Sequence, residues 1–240
     1  MWVPTVLDVC RWAGAVRWRR HLADEGHTEA LPASLGGCVR EGRVALGGAV
    51  LTVGANPVEV EARLVTGGLV CPDCDGSLGP WGWARPRLLR EGRGPVAVRP
   101  RRARCLVCGV SHVLLPVFAL VRRADVAEVI GAALMAKANG AGARSIAMRL
   151  RRPVETVRGW LRRFAGRAEV LRSWFTVLLV RTGVDPVPPA LAPTAFADAV
   201  AAVLGAAVAA ASRWPDVGVV SPWRWASAAS AGRLLAPSWP

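Results

Sequence analysis

Apolar and polar residues along this chain follow two periods, and the change between them falls near residue 122. Before it the spacing is strand-like. "AVLTVG", beginning at Ala49, reads as a strand, and the segment after it as a short helix that Asn56 caps, with Pro57 at its first position, where proline's missing N–H costs nothing. From Cys71 to about Pro116, apolar and basic residues alternate between Gly and Pro punctuation, which predicts short strands and turns. After "RRAD" the period becomes helical. Val126, Val129, Ile130, Ala133 and Leu134 make a stripe that Asn139 and Gly140 end. More helical sequence runs to about Arg181, and an Ala-rich helix ends near Arg213.

These elements divide the chain into parts: an N-terminal extension of weak periodicity (1–47), a strand-rich domain (48–118), a helical domain (122–182), a Pro-rich linker (183–194) and an Ala-rich helix with a Trp/Pro tail (195–240). The expected fold class is α+β. There is no internal repeat.

Within the helical domain, "ARSIAMRLRRPVETVRGWLRRF" (143–164) carries two apolar faces joined by a tight connection. Ile146, Ala147 and Leu150 share the first face, and the small Ala147 lets another helix come close. Arg151 and Arg152 form the turn, Pro153 opens the next helix, and Val157, Trp160, Leu161 and Phe164 give it a buried stripe. The pattern resembles the helix-turn-helix of bacterial repressors and transposases, in which the second helix enters the major groove with its first residues toward base edges. That resemblance implies base-reading roles for Val154, Glu155, Thr156 and Arg158. Arg158 can pair with guanine and Glu155 can accept from cytosine. Arg144, Arg149, Arg151, Arg152, Arg162 and Arg163 flank the unit and are expected to hold phosphates. Where the turn commonly has glycine this chain has Arg151, so a looser or differently shaped turn is expected. The bland alternative is a helical hairpin with a charged outer face.

Cys71, Cys74, Cys105 and Cys108 have the spacing C-x2-C-x30-C-x2-C. Two CxxC pairs admit a redox device, disulfides or a metal site. A CxxC in a tight turn aims two sulfurs at one point, and two such knuckles complete a tetrahedral thiolate shell, the arrangement of a zinc ribbon holding one structural Zn2+. A thioredoxin-like motif needs a single CxxC at a helix start, and these pairs lie among strands and turns. Gly109 suits the turn after the second pair, and Asp75, at the equivalent place in the first, tolerates the left-handed region better than most residues. His112 is weighed as a substitute ligand and read as a packed or surface strand residue, since four thiolates already satisfy zinc. Cys10 and Cys38 have no CxxC partner.

Charge adds a partner. The chain has 240 residues, a formal net charge of +14 and a single lysine, Lys137, so the excess is arginine. A GC-rich coding bias inflates arginine everywhere, so only clustering is informative. Between the cysteine pairs lie Arg85, Arg87, Arg90, Arg93, Arg99, Arg101, Arg102 and Arg104, opposed within the stretch 85–104 only by Glu91 and accompanied by Trp81 and Trp83. Arg99, Arg101, Arg102 and Arg104 are expected to bind phosphates, with the tryptophans as stacking platforms or packed onto the ribbon. The N-terminus lacks the apolar core of a signal peptide, and "AVAAVLGAAVAAAS" (199–212) is shorter than the roughly eighteen residues that span a bilayer. The expected setting is therefore the reducing cytoplasm, associated with the nucleoid, with no membrane and no small-molecule substrate.

The order of these parts resembles a family of actinobacterial helix-turn-helix proteins with an N-terminal zinc ribbon, over roughly residues 48–240. The resemblance implies this architecture and a link to mobile elements. The leading expectation is a sequence-specific binder of double-stranded DNA, a regulator or the DNA-recognition component of a transposition system acting with a transposase partner. A homodimer through the small-residue face of the Ala-rich helix (Gly205, Ala209) is the other partnership considered, against simple packing on the preceding helices. An accessory transposase without its own nuclease domain and an RNA- or single-strand-binding ribbon are the alternatives. Catalysis is not expected, because the acidic residues after Phe164 (Glu169, Asp185, Asp198, Asp216) are scattered and tyrosine is absent.

Overall fold

The computed structural model describes residues 49–237 apart from Arg93, together with Trp239. The expected extension, with Cys10 and Cys38, lies outside the described residues. The class is mixed α+β.

The first strand, β1 (Ala49–Val53), leads into α1 (Pro57–Val65), where Asn56 Oδ1 accepts the N–H of Val58 at 3.0 Å and Pro57 occupies the first turn. Four strands form a sheet in the order β1, β6 (Ser111–Pro116), β5 (Arg101–Cys105), β2 (Leu78–Trp83). β1 runs parallel to β6, and the other neighbours are antiparallel. Its two faces serve different cores. Val53, Val60, Leu64, Leu69, Leu78, Ala103 and Leu114 bury together with Cys71 and Cys105 in a small cluster. Leu115, the next residue along β6, turns instead into the larger helical core, as strand alternation requires.

The hairpin of β3 (Arg87–Arg90) and β4 (Pro95–Val98) interrupts the sequence between the cysteine pairs, yet its buried residues Leu89 and Val98 pack into the helical core. By packing it belongs with the helices. The residue 48–118 domain drawn from sequence therefore supplies side chains to two cores.

The helices are α2 (Ala127–Ala138), α3 (Ala143–Leu150), α4 (Val154–Ala165), α5 (Ala168–Thr182), α6 (Ala195–Arg213) and α7 (Pro222–Ala229). The predicted stripe of α2 is wholly buried, and Asn139 and Gly140 end the helix, Gly140 at φ 87°. Its opposite side is covered too. Gly131 lies against Trp223, so closely that a Cβ there would sit 2.0 Å from the indole ring. The segment read as a tail is thus part of the core: Trp223, Trp225, Leu234 and Leu235 are buried, and Ser227 Oγ donates to the carbonyl of Ala119.

α6 packs along α5, with Gly205 against Leu179 and Pro189 of the linker, so the small-residue face weighed as a dimer surface is occupied within the chain. Thr194 Oγ1 caps this helix through the N–H of Ala197 at 3.2 Å. It is the one described helix long and apolar enough to cross a membrane, and Ala199, Val200, Val203 and Ala206 on it are core residues.

Candidate metal centre and nucleic-acid interface

Each cysteine pair sits in the same local turn. In the first, the N–H of Cys71 donates to the carbonyl of Gly76 at 2.8 Å and the N–H of Asp75 returns to Cys71 at 2.9 Å. The second repeats this: Cys105 donates to Val110 at 2.8 Å, and Gly109 to Cys105 at 3.1 Å. Both turns need a left-handed residue after the second cysteine, and Asp75 (φ 58°) and Gly109 (φ 73°) supply it, as the sequence predicts. Gly76 has a separate reason to be glycine. A Cβ there would lie 2.6 Å from Val107 and 3.1 Å from Cys105 Sγ, so its absence lets the knuckles meet.

The four sulfurs converge, all within 4.8 Å of one another. Cys74 Sγ lies 3.4 Å from Cys105 Sγ, and Cys71 Sγ 3.8 Å from Cys108 Sγ. A tetrahedral thiolate site with metal–sulfur bonds of about 2.3 Å sets its sulfurs about 3.8 Å apart, so the residues fit a metal ion. The near pairs run between knuckles, and all four cysteines are free thiols. The N–H groups of Cys108 and Val107 both donate to Cys105 Sγ at 3.4 Å, and they hold its thiol down to about 6. Burial pushes the Cys71 thiol up to about 12, a cost that a bound cation would reverse by taking the thiolate as ligand.

His112 is not a surface residue. It is fully buried, its Nε2 lies 3.4 Å from Cys71 Sγ, and burial holds its imidazole below the ordinary range. With its proton on Nε2, the neutral ring would donate to Cys71 Sγ and steady that sulfur for a metal ion. With Asp73 and Cys71 it also forms a second convergent group that shares one sulfur with the first. The sequence signal for this role was its placement on an inward position of β6, four residues beyond Cys108.

The connection between α3 and α4 takes its shape from Arg151, which lies in the left-handed region at φ 51°, ψ 50°. The N–H of Arg152 donates to Ala147 at 2.9 Å and that of Arg151 to Met148 at 3.2 Å, the paired closure of a Schellman turn. The turn is therefore tight, and arginine fills the position that favours glycine. Ile146, Ala147, Val157, Trp160, Leu161 and Phe164 are buried as expected.

The candidate contact residues fall into distinct environments. Arg144, Arg149, Arg151, Arg162 and Arg163 are exposed, Arg163 turning one Nη back to the carbonyl of Gly159 at 2.9 Å. Glu155 and Arg158 are exposed and paired at 2.6 Å, while Thr156 is half-buried and Val154 packs partly on the core. Arg152, expected at phosphates, is directed inward. It donates to Asp125, to the carbonyls of Leu150 and Arg151 at 3.2 Å each, and to that of Glu91 at 3.1 Å. Asp125, which in the sequence marks only the change of period, is 1% exposed and also accepts from Arg90 at 2.6 Å. It ties the β3–β4 hairpin to the turn that precedes α4. A lone acid in "RRAD" was the available clue.

On the sheet, Arg101 is likewise engaged, gripping Glu61 with two N–H groups at 2.8 and 3.0 Å and Gly82 at 2.6 Å. Arg102 is half-buried, whereas Arg99 and Arg104 are exposed. Trp81 and Trp83 stand on β2, each about half exposed. Comparison of the chain with protein-family models, curated proteins and solved structures gives no significant match.

Proposed function

We propose that this protein is a sequence-specific binder of double-stranded DNA, a regulator or the DNA-recognition component of a transposition system, in which α3, the Arg151 turn and α4 act as a helix-turn-helix. The observation that carries this is the closed turn between two helices whose joint stretch, 143–165, holds seven arginines against Glu155 alone. With Arg152 turned inward, Arg144, Arg149, Arg151, Arg162 and Arg163 remain to hold phosphates, and Arg158 and Glu155 stand on the exposed face of α4, where major-groove edges would be met. Their mutual ion pair is exposed, so exchanging it for base contacts costs little.

The four-cysteine site is read as one structural Zn2+ site, making the strand domain a zinc ribbon. Four thiolates leave no open position on the metal, so its contribution is to fold. Cys71 and Cys105 are themselves buried members of the small core, which ties that core to the metal.

Selection of bound sequences from random duplex DNA tests the reading. A defined motif is expected, bound with log affinity that falls steeply with log salt. Recovery of no motif, with binding equal across duplexes, would refute sequence recognition.

A further inference from the structure

The outer edge of the sheet carries a feature that duplex recognition does not use. β2 is an edge strand, and a bulge at Gly82 (φ 100°) lies between Trp81 and Trp83. Each indole carries a guanidinium over its ring: Arg104 lies 4.7 Å from the Trp81 centroid, and Arg101 4.7 Å and Arg99 5.6 Å from that of Trp83. Even so, Trp81 is 53% and Trp83 50% exposed.

That exposure is costly for the largest apolar side chains, and it is not a consequence of loose attachment. Arg101 is fixed by Glu61 and by the bulge carbonyl, and Arg104 donates its Nε to Gly109 at 3.1 Å, so each ring has one cation anchored to the framework against it. Two flat, half-open aromatic surfaces are thus presented beside the exposed, positively charged Arg99 and Arg104. Base faces and phosphates together complement this arrangement, and only an unpaired strand offers both, since a duplex hides its base faces in the stack.

The geometry points to a second nucleic-acid site on this edge, which takes single-stranded DNA by stacking bases on Trp81 and Trp83. The ligand is DNA because a strand opened or frayed beside a duplex target would come from the same molecule. In that respect alone the inference rests on the proposed function, and the site itself shares no residue with α4.

The test uses the whole zinc-loaded protein, a labelled oligothymidylate of about 12 nucleotides and a random-sequence duplex. Trp81→Ala and Trp83→Ala should each weaken oligothymidylate binding roughly 5- to 100-fold, while Trp81→Phe and Trp83→Phe retain most of it. Duplex affinity and metal content should be unchanged in all four variants. Arg158→Ala, by contrast, should leave oligothymidylate binding intact. Oligothymidylate affinity insensitive to both alanine changes would overturn the site, and tighter binding of oligouridylate than of oligothymidylate would overturn its assignment to DNA. Loss of duplex specificity in the wild type, with single-strand binding preserved, would instead overturn the helix-turn-helix reading alone.

Discussion

Replacing Asp125 by asparagine removes a buried negative charge without changing side-chain volume, and its cost can be worked from the surroundings. The carboxylate side chain is 1% exposed and faces two guanidinium groups, Arg90 at 43% exposure and Arg152 at 11%. Removing one partner of a buried ion pair costs about 3–5 kcal/mol, because the other charge is left uncompensated. Arg90 can recover hydration, and Arg152 keeps the carbonyls of Leu150, Arg151 and Glu91 as acceptors, so the lower end, about 3 kcal/mol, applies. For a protein of this size that corresponds to a fall in Tm of roughly 6–12 °C.

Thermal and urea unfolding followed by circular dichroism measure this directly. A companion variant, Asp125→Leu with Arg152→Met, separates two explanations, since apolar replacement of the two buried members removes the stranded Arg152 charge and leaves only the more exposed Arg90, which water can reach. It should recover part of the loss. If Asp125→Asn lies within about 0.5 kcal/mol of wild type, the value of an ordinary surface substitution, the clamp does not carry stability. An unrecovered double variant would mean that the loss arises from packing and not from charge.

Other expected outcomes follow from separate parts of the molecule. Purified protein should contain one zinc per chain, and chelation should abolish amide-exchange protection in the two knuckles while α2 to α6 stay protected, because the metal contributes on the order of 10 kcal/mol to such sites; knuckles that remain protected without metal would refute the structural role. Arg158→Ala should relax base preference, whereas Arg162→Ala should weaken all sequences alike and lower the log–log salt slope by about 0.9, as read in titrations at several salt concentrations. Gly131→Ala should destabilise by about 3 kcal/mol, the upper end for overpacking, since its Cβ would sit 2.0 Å from Trp223, and a smaller Tm change than Asp125→Asn gives would show that the tail yields. Arg151→Gly should stabilise by about 1 kcal/mol by removing left-handed strain, and should weaken DNA binding at the same time.

Local signals in the sequence located most elements. Asn56 and Pro57 mark a helix start because capping is settled within a few residues, and Asp75 and Gly109 mark knuckle turns because a left-handed φ restricts residue choice at one position. The cysteine spacing was legible for the same reason, since two tight turns constrain where four sulfurs can go. What periodicity missed depends on contacts across the chain. Nothing within "AEVIGAALMAKA" tells that Gly131 admits an indole from residue 223, because a helix buried on both sides weakens the period that would reveal either face.

Arginine shows the same division at the level of function. Clustering in the sequence predicts phosphate contacts for arginines, and clustering cannot separate Arg151 from its neighbour Arg152. In the fold they part because the left-handed turn at Arg151 reverses the chain, leaving Arg151 exposed and sending Arg152 toward Asp125. Arg101 differs from Arg99 in the same way, through Glu61, forty residues earlier. In each case an acid distant in sequence selects which arginine is structural. An exposed guanidinium without an acidic partner among the described residues is then left beside each clamp, Arg151 in one case and Arg99 in the other, so the acids that lower the net charge also sharpen where the remaining positive charge is displayed.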